Sequence, residues 1–266
     1  PENKIYAMAR GDLDMIMDPP PELFEVLLDM CDTCRGYSKE FPYAWMNEPC
    51  PRYIQVNLDR FPYNVTEVRW ALALAINITE VAISGFNGIV HLAPTAIAAG
   101  PVEETFYYKL GLYDILLNYE ITLPNGSKFK PFDPEAPFRI IDWAISQGYL
   151  KERPPEDYVR RNMGPGWWKY APDVAEKLLE SVGLYRGSDG MWRLPDGTPW
   201  KMSIVTSTAE VDAYRLAFAV ADQWRKFGID VTVEAVDHNV FIDAWNRRTW
   251  EDAISVWSVP AFSDTI

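Results

Sequence analysis

The sequence predicts an α/β fold, a mixed or parallel sheet flanked by helices, and three observations carry that prediction. The second half alternates strand-like and helix-like segments joined by short connections, which is the pattern of an α/β layer. The first half supplies one cleanly alternating strand followed at once by an apolar run at helical spacing. With 266 residues, 48% of them hydrophobic, the chain can bury a real core as one large domain or two small ones.

Each element has its own reason. Pro19-Pro20-Pro21 opens a helix through Met30, because proline is tolerated in a first turn where its missing N–H has no partner to lose. Arg52 to Leu58 places Ile54, Val56 and Leu58 on one face and Tyr53, Gln55 and Asn57 on the other, a half-buried strand. Asn64 precedes Glu67 by three, a capping-box-like start for a helix carrying Val68, Ala71, Leu72, Ala75 and Ile76. Tyr107 to Tyr119 reads as helical, Pro124-Asn125-Gly126 as a turn, and Phe129 to Phe138 as irregular surface.

Pro172 starts a helix with Val174, Ala175, Leu178, Leu179 and Val182 inward, closed by Gly183. Pro195-Asp196-Gly197 turns into the strand Lys201 to Thr206. The next helix carries Tyr214, Ala217, Phe218, Ala221 and Trp224 inward and stops at Gly228. Ile229 to Glu234 is a strand, Val240, Phe241, Ala244 and Trp245 mark a short helix, and Ala253 to Trp257 is a last apolar strand.

Charge narrows the function. The chain has 25 Lys and Arg against 38 Asp and Glu, a formal charge of -13 and a pI near 4.6, so phosphate backbones and anionic lipid surfaces are repelled and no nucleic-acid partner is expected. Val81 to Val102 lacks charge but carries Gly85, Gly88, Pro94, Gly100 and Pro101, and reads as loop and short elements rather than a bilayer span. The opening Pro1-Glu2-Asn3-Lys4 has no apolar leader, and Pro1 is not expected to be a native start.

Cys31, Cys34 and Cys50 suit one structural disulfide with a spare thiol, or three thiols; the pairing stays open. The Cys31–Cys34 pair follows a helical run instead of opening a helix after a strand, and four zinc ligands are not at hand, so no metal is expected. Hydrolase, P-loop and zinc-protease motifs are absent, His91 and His238 read as structural, and Glu67, Asp173, Asp196 and Asp212 fall on helix starts and turns. No catalytic residue and no cofactor are predicted, although a carbohydrate-active hydrolase stays open as a rival because paired carboxylates are plentiful.

The 11 tryptophans are the unusual feature. Flat aromatic faces stack on sugar rings and peptide side chains. Trp70, Trp224 and Trp245 lie on apolar stripes and are assigned to packing. Trp45, Trp167, Trp168 and Trp257 stand outside such stripes and are the candidate ligand surface.

Several segments resemble the bacterial extracellular solute-binding proteins of family 5. Ala9-Arg10-Gly11-Asp12-Leu13-Asp14-Met15 is similar to that family's G-E-V-D segment. Tyr53 to Ile83 follows its strand and VRQALAYAID helix, with Trp70 for the usual Gln and Asn77 for the usual Asp. Pro172 to Gly183 resembles its D-x-x-A-K-x-L-L-x-E-A-G helix, and Leu194 to Gly197 and Gly228 to Val236 its later turn and strand.

The resemblance implies a periplasmic-binding-protein-like second lobe spanning 1–266, with 1–20 and 255–266 near the crossover to a first lobe. It implies an extracytoplasmic monomer, lipid-anchored or secreted, that serves the membrane subunits of an ABC importer. In the family's exit segment an acid holds a peptide's amino terminus; here Val256-Trp257-Ser258-Val259-Pro260-Ala261 keeps the Trp and has Pro260 in place of the acid. That favours a neutral ligand, an oligosaccharide before an oligopeptide, with Trp257 and Ser258 at the site.

Overall fold

A computed structural model describes residues 2–16, 19–36, 41–43, 50–95, 97 and 99–257. The helices are α1 (Glu2–Ala9), α2 (Pro21–Met30), α3 (Thr66–Leu74), α4 (Ile78–Phe86), α5 (Pro101–Glu104), α6 (Leu112–Asn118), α7 (Ala136–Ser146), α8 (Glu156–Met163), α9 (Pro172–Ser181), α10 (Val211–Lys226) and α11 (His238–Arg247). The strands are β1 (Arg52–Val56), β2 (Ile121–Thr122), β3 (Lys128–Phe129), β4 (Phe132–Asp133), β5 (Trp167–Trp168), β6 (Tyr185–Arg186), β7 (Trp192–Arg193), β8 (Lys201–Ser207), β9 (Asp230–Val236) and β10 (Ala253–Trp257).

A four-stranded mixed sheet in the order β1-β10-β8-β9 organises the second half. β8 runs parallel to β9 from Lys201–Asp230 to Ser207–Val236, and β10 runs parallel to β8. β1 closes the other side antiparallel to β10, with Arg52 opposite Trp257 and Val56 opposite Ala253. α10 and α11 make the two crossovers that parallel neighbours require. Alternation gives the sheet two apolar faces. Ile54, Val56, Ile204 and Ala253 join Ala217, Val220, Ala221 and Trp224 of α10 in the main core. Val205, Ile254 and Val256 pack with Phe241 of α11 and Trp250 in a smaller cluster on the opposite face.

Several local expectations need correction. Tyr214 and Phe218 do not face inward; they are 36% and 39% exposed and contact each other on the flank of α10. The buried stripe runs instead through Ala213, Ala217, Val220, Ala221 and Trp224, where small side chains let the helix lie close to the sheet. The short helix is present as α11, on which Phe241 is buried and Val240 is exposed. Asn64 does not cap α3, whose N-cap is Val65 without a side-chain bond; the capping side chain is Asn77, which accepts from the Glu80 amide at the start of α4. Tyr107 to Tyr119 is broken: a π-turn covers Thr105–Lys109, and Gly111 at φ +80° separates it from α6.

Phe129 to Phe138 is not irregular surface. Phe132 and Asp133 form buried β4, and α7 begins at Ala136 with Pro137 in its first turn. The two-residue pairing of β4 with β5 is too short to show as alternation, and prolines at 131, 134 and 137 mask the helix start. β4 also depends on Gly166 (φ +144°): a Cβ there would lie 2.6 Å from the Asp133 carbonyl oxygen. Val81 to Val102 is partly helical, since Val81 and Ala82 are buried in α4.

Cys31 and Cys34 form a disulfide at the C-terminal end of α2, beside an apolar cluster of Ile5 and Leu27 from α1 and α2. Among the described residues no single helix is long and apolar enough to cross a membrane. The α3–α4 pair approaches that composition but bends by 59° and buries Val68, Leu72, Val81 and Ala82 in the main core.

Candidate ligand-binding edge

The carboxyl ends of the parallel strands β8, β9 and β10 meet at one edge of the sheet, together with the first residue of β1 and the first turns of α10 and α11. In open α/β sheets this edge is where ligands settle, because the loops leave it open and helix starts point at it. Two groups of side chains occupy it, one on each face.

On the α10 face, Trp257 ends β10 directly opposite Arg52 of β1. Arg52 Nη1 donates to the Cys50 carbonyl at 2.6 Å, and Arg52 Nη2 lies 3.1 Å from Asp212 Oδ2 in the first turn of α10. The buried Ser255 hydroxyl donates to the Ala213 carbonyl at 2.7 Å and ties the start of α10 to β10. Trp257 is half-buried, and its Nε1 is buried with no acceptor among the described residues. On the α11 face, His238 Nδ1 lies 3.3 Å from the buried Ser207 hydroxyl and 3.6 Å from Glu210 Oε1. The Ser207 oxygen also accepts from the Ala209 amide at 3.2 Å, fixing the turn into α10.

The remaining expected site residues lie elsewhere. Trp168 and Trp167 pair with Phe132 and Asp133 in the β4–β5 ribbon. Trp168 stands edge-on to Trp70 at 5.0 Å and to Phe132 at 6.4 Å, while Trp70 stacks on Tyr119 at 6.0 Å. Among the described residues no ring contact joins this aromatic layer to Trp257. Trp45 and Ser258 lie outside the described residues. Trp224 is buried in the core as expected, donating to the Leu72 carbonyl at 2.9 Å, and Trp70 and Trp245 are half-buried against the two cores.

Both histidines have partners. His91 Nε2 lies 2.7 Å from the buried Glu103 carboxylate, and its Nδ1 is 3.3 Å from the Asn162 carbonyl. Nearby, the Tyr107 hydroxyl shares a 2.8 Å bond with Thr95, and burial pushes its ionisation up to about 12. Asp196 caps its own turn by accepting from Thr198, and Asp252 is a buried structural carboxylate that accepts from the Ser203 amide at 2.8 Å. A groove of about 590 Å³ follows the α11 side of the sheet past Ser203, Thr232, Glu234, Val240 and Trp250. Among the described residues no cluster of His, Cys, Asp and Glu has the arrangement of a metal site.

Arg52, Asp212, Ser207 and Glu210 are edge residues that the sequence did not point to. Arg52 was legible as the start of a strand and Asp212 as a helix-start acid. Periodicity assigns faces, however, and cannot say that two such residues from distant segments meet.

The family model of the bacterial extracellular solute-binding proteins, family 5 Middle, matches residues 1–265. The chain belongs to that family. Its fold is the periplasmic-binding-protein type of the family 5 structures it resembles. One is the periplasmic oligopeptide-binding protein of Thermotoga maritima with mannohexaose bound, at TM-score 0.60 and 19% identity over 96% of this chain and 38% of that one. Another is NikA from Brucella suis in complex with Fe(III)-EDTA, at TM-score 0.60 and 17% identity over 100% of this chain and 41% of that one. A third is OppA of Haemophilus influenzae in complex with RPPGFSPFR, at TM-score 0.53 and 18% identity over 97% and 37%. The chain thus spans about two-fifths of the length of these proteins. No curated protein matches the sequence.

Proposed function

We propose that this chain is the second, ligand-gripping lobe of the substrate-binding component of an ABC importer, and that it holds an oligosaccharide against the Trp257 edge. The observation that carries this reading is the half-buried Trp257 at the carboxyl edge of the sheet, flanked by Asp212, which is ion-paired with Arg52. A flat aromatic face beside an existing ion pair suits a neutral, hydroxyl-rich ligand better than a charged terminus. The same fold is known with mannohexaose bound in the Thermotoga protein. The reading places the protein outside the cytoplasm as a monomer, working with importer membrane subunits and performing no catalysis.

The oligopeptide alternative rests on one observation: Asp212 supplies a carboxylate at the same edge, 44% exposed. Ligand-observed NMR on this chain separates the two, with mannohexaose, cellohexaose and RPPGFSPFR as probes and product analysis after long incubation. In binding proteins of this type two lobes close on the ligand. If each face contributes about half of a micromolar complex near -8 kcal/mol, one face alone binds in the millimolar range. Millimolar binding of a sugar without turnover supports the proposal. Binding of the peptide alone favours the alternative, and hydrolysis of a sugar overturns the transport reading.

A further inference from the structure

We propose that Arg52 and Asp212 form a clamp for a vicinal diol, and that this clamp, with Trp257 as its stacking floor, selects sugar residues whose neighbouring hydroxyls are both free. The proposal rests on the reading of this edge as the ligand floor and adds the groups that decide which sugar units fit. Arg52 and Trp257 are directly opposed in an antiparallel pair, so their side chains rise from the same face with Cβ atoms roughly 4.5–5.5 Å apart. Asp212 joins them through the 3.1 Å contact with Arg52 Nη2. All three are therefore neighbours on one face.

The clamp is held before any ligand arrives. Arg52 is anchored by its bond to the Cys50 carbonyl, and the start of α10 is anchored by Ser255 on the Ala213 carbonyl. Asp212 also sits in the first turn of a 16-residue helix, where a negative charge is favoured. Both side chains keep a solvent-facing part, 28% exposed for Arg52 and 44% for Asp212.

The chemistry of the pair matches two adjacent hydroxyls. A hydroxyl both donates and accepts, a carboxylate only accepts, and a guanidinium only donates in a planar fork. Asp212 can receive the proton of one hydroxyl while Arg52 donates to the oxygen of its neighbour. Bonds to charged groups are roughly twice as strong as neutral ones. A neutral ring joins the two side chains without displacing either from the other. A charged ligand terminus would have to compete with the existing ion pair.

The test compares mannohexaose with its 2,3-O-methylated form, which keeps the rings and removes both donors of each diol. Dissociation constants are read by ligand-observed NMR for the wild type, Asp212→Asn, Arg52→Gln and Trp257→Ala. The wild type is expected to prefer the unmethylated sugar by about tenfold or more, the equivalent of one charge-assisted hydrogen bond. Asp212→Asn should bring the preference below about threefold, because methylation removes the proton that Asp212 accepts, while Arg52→Gln and Trp257→Ala should weaken both sugars, since an ether oxygen still accepts from Arg52. A wild-type protein without preference overturns the clamp, whatever the variants do. A preference that survives in Asp212→Asn also overturns it, because it is then steric. If the wild type binds neither sugar but binds RPPGFSPFR, the sugar reading of the edge falls together with the clamp; sugar binding without preference removes the clamp alone.

Discussion

Replacing Trp224 and Trp257 separately by phenylalanine should have unequal consequences, because one indole N–H has a partner and the other has none among the described residues. Trp224 is 3% exposed, and its Nε1 donates to the Leu72 carbonyl at 2.9 Å. That carbonyl lies in the last turn of α3, and the Ile76 amide bonds Ala73 instead, so the indole covers a helix-end acceptor that lacks its usual amide. Phenylalanine strands the carbonyl in the core, at about 1–3 kcal/mol, and leaves a small void besides. The total should be roughly 2–4 kcal/mol. At Trp257 the buried Nε1 has no acceptor among the described residues, so phenylalanine removes a desolvated donor and should change stability by less than about 1 kcal/mol. Urea unfolding with a constant m-value measures both. Equal losses in the two variants, or no loss in Trp224→Phe, would refute the reasoning.

Glu22 is held below its ordinary value of 4.5, chiefly by its hydrogen bond to Arg215. Its stabilising contribution is therefore present above 4.5 and is lost as the pH falls through the lowered value. Glu22→Gln should cost no more than about 1 kcal/mol at neutral pH, because the pair is largely exposed, and melting curves should converge in acid. Tyr107, raised by burial, should resist ionisation until about pH 12 in an ultraviolet titration, and its contribution to stability should fall as the pH climbs from 10 toward that value. Replacing Cys31 and Cys34 by serine opens a loop of only a few residues and should cost about 2 kcal/mol. Hydrogen exchange should quicken most in α1 and the end of α2, where Ile5, Leu27 and Cys31 form their own apolar cluster, and least in α10, whose buried stripe lies in the main core.

The elements that sequence patterning found are those with long, regular periods. β8, α10, β9 and β10 each repeat an apolar position often enough to show a face, and their order already implied a parallel or mixed sheet. The failures have two physical causes. Tyr214 and Phe218 were placed inward because they are large and apolar, yet the helix packs through its alanines, and size is a poor guide where close approach to a sheet is needed. β4 and β5 are two residues long and depend on a glycine and on partners distant in sequence, so no local period could reveal them. Among the site residues, Trp257 was legible as a strand end. The Arg52–Asp212 pair depended on strand register, which one sequence does not display.

The most direct test of the Trp257 edge is a ¹H–¹⁵N spectrum of the 11 tryptophan indoles during titration with mannohexaose, with Trp257 assigned by the signal lost in Trp257→Phe. The Trp257 signal should shift as sugar is added. The signals of Trp192, Trp200 and Trp224 should stay in place, since they are bonded to the Phe227 carbonyl, the Tyr63 hydroxyl and the Leu72 carbonyl inside the core. Shifts confined to Trp167 and Trp168, or to Trp250 in the groove beside α11, with Trp257 unmoved, would contradict it.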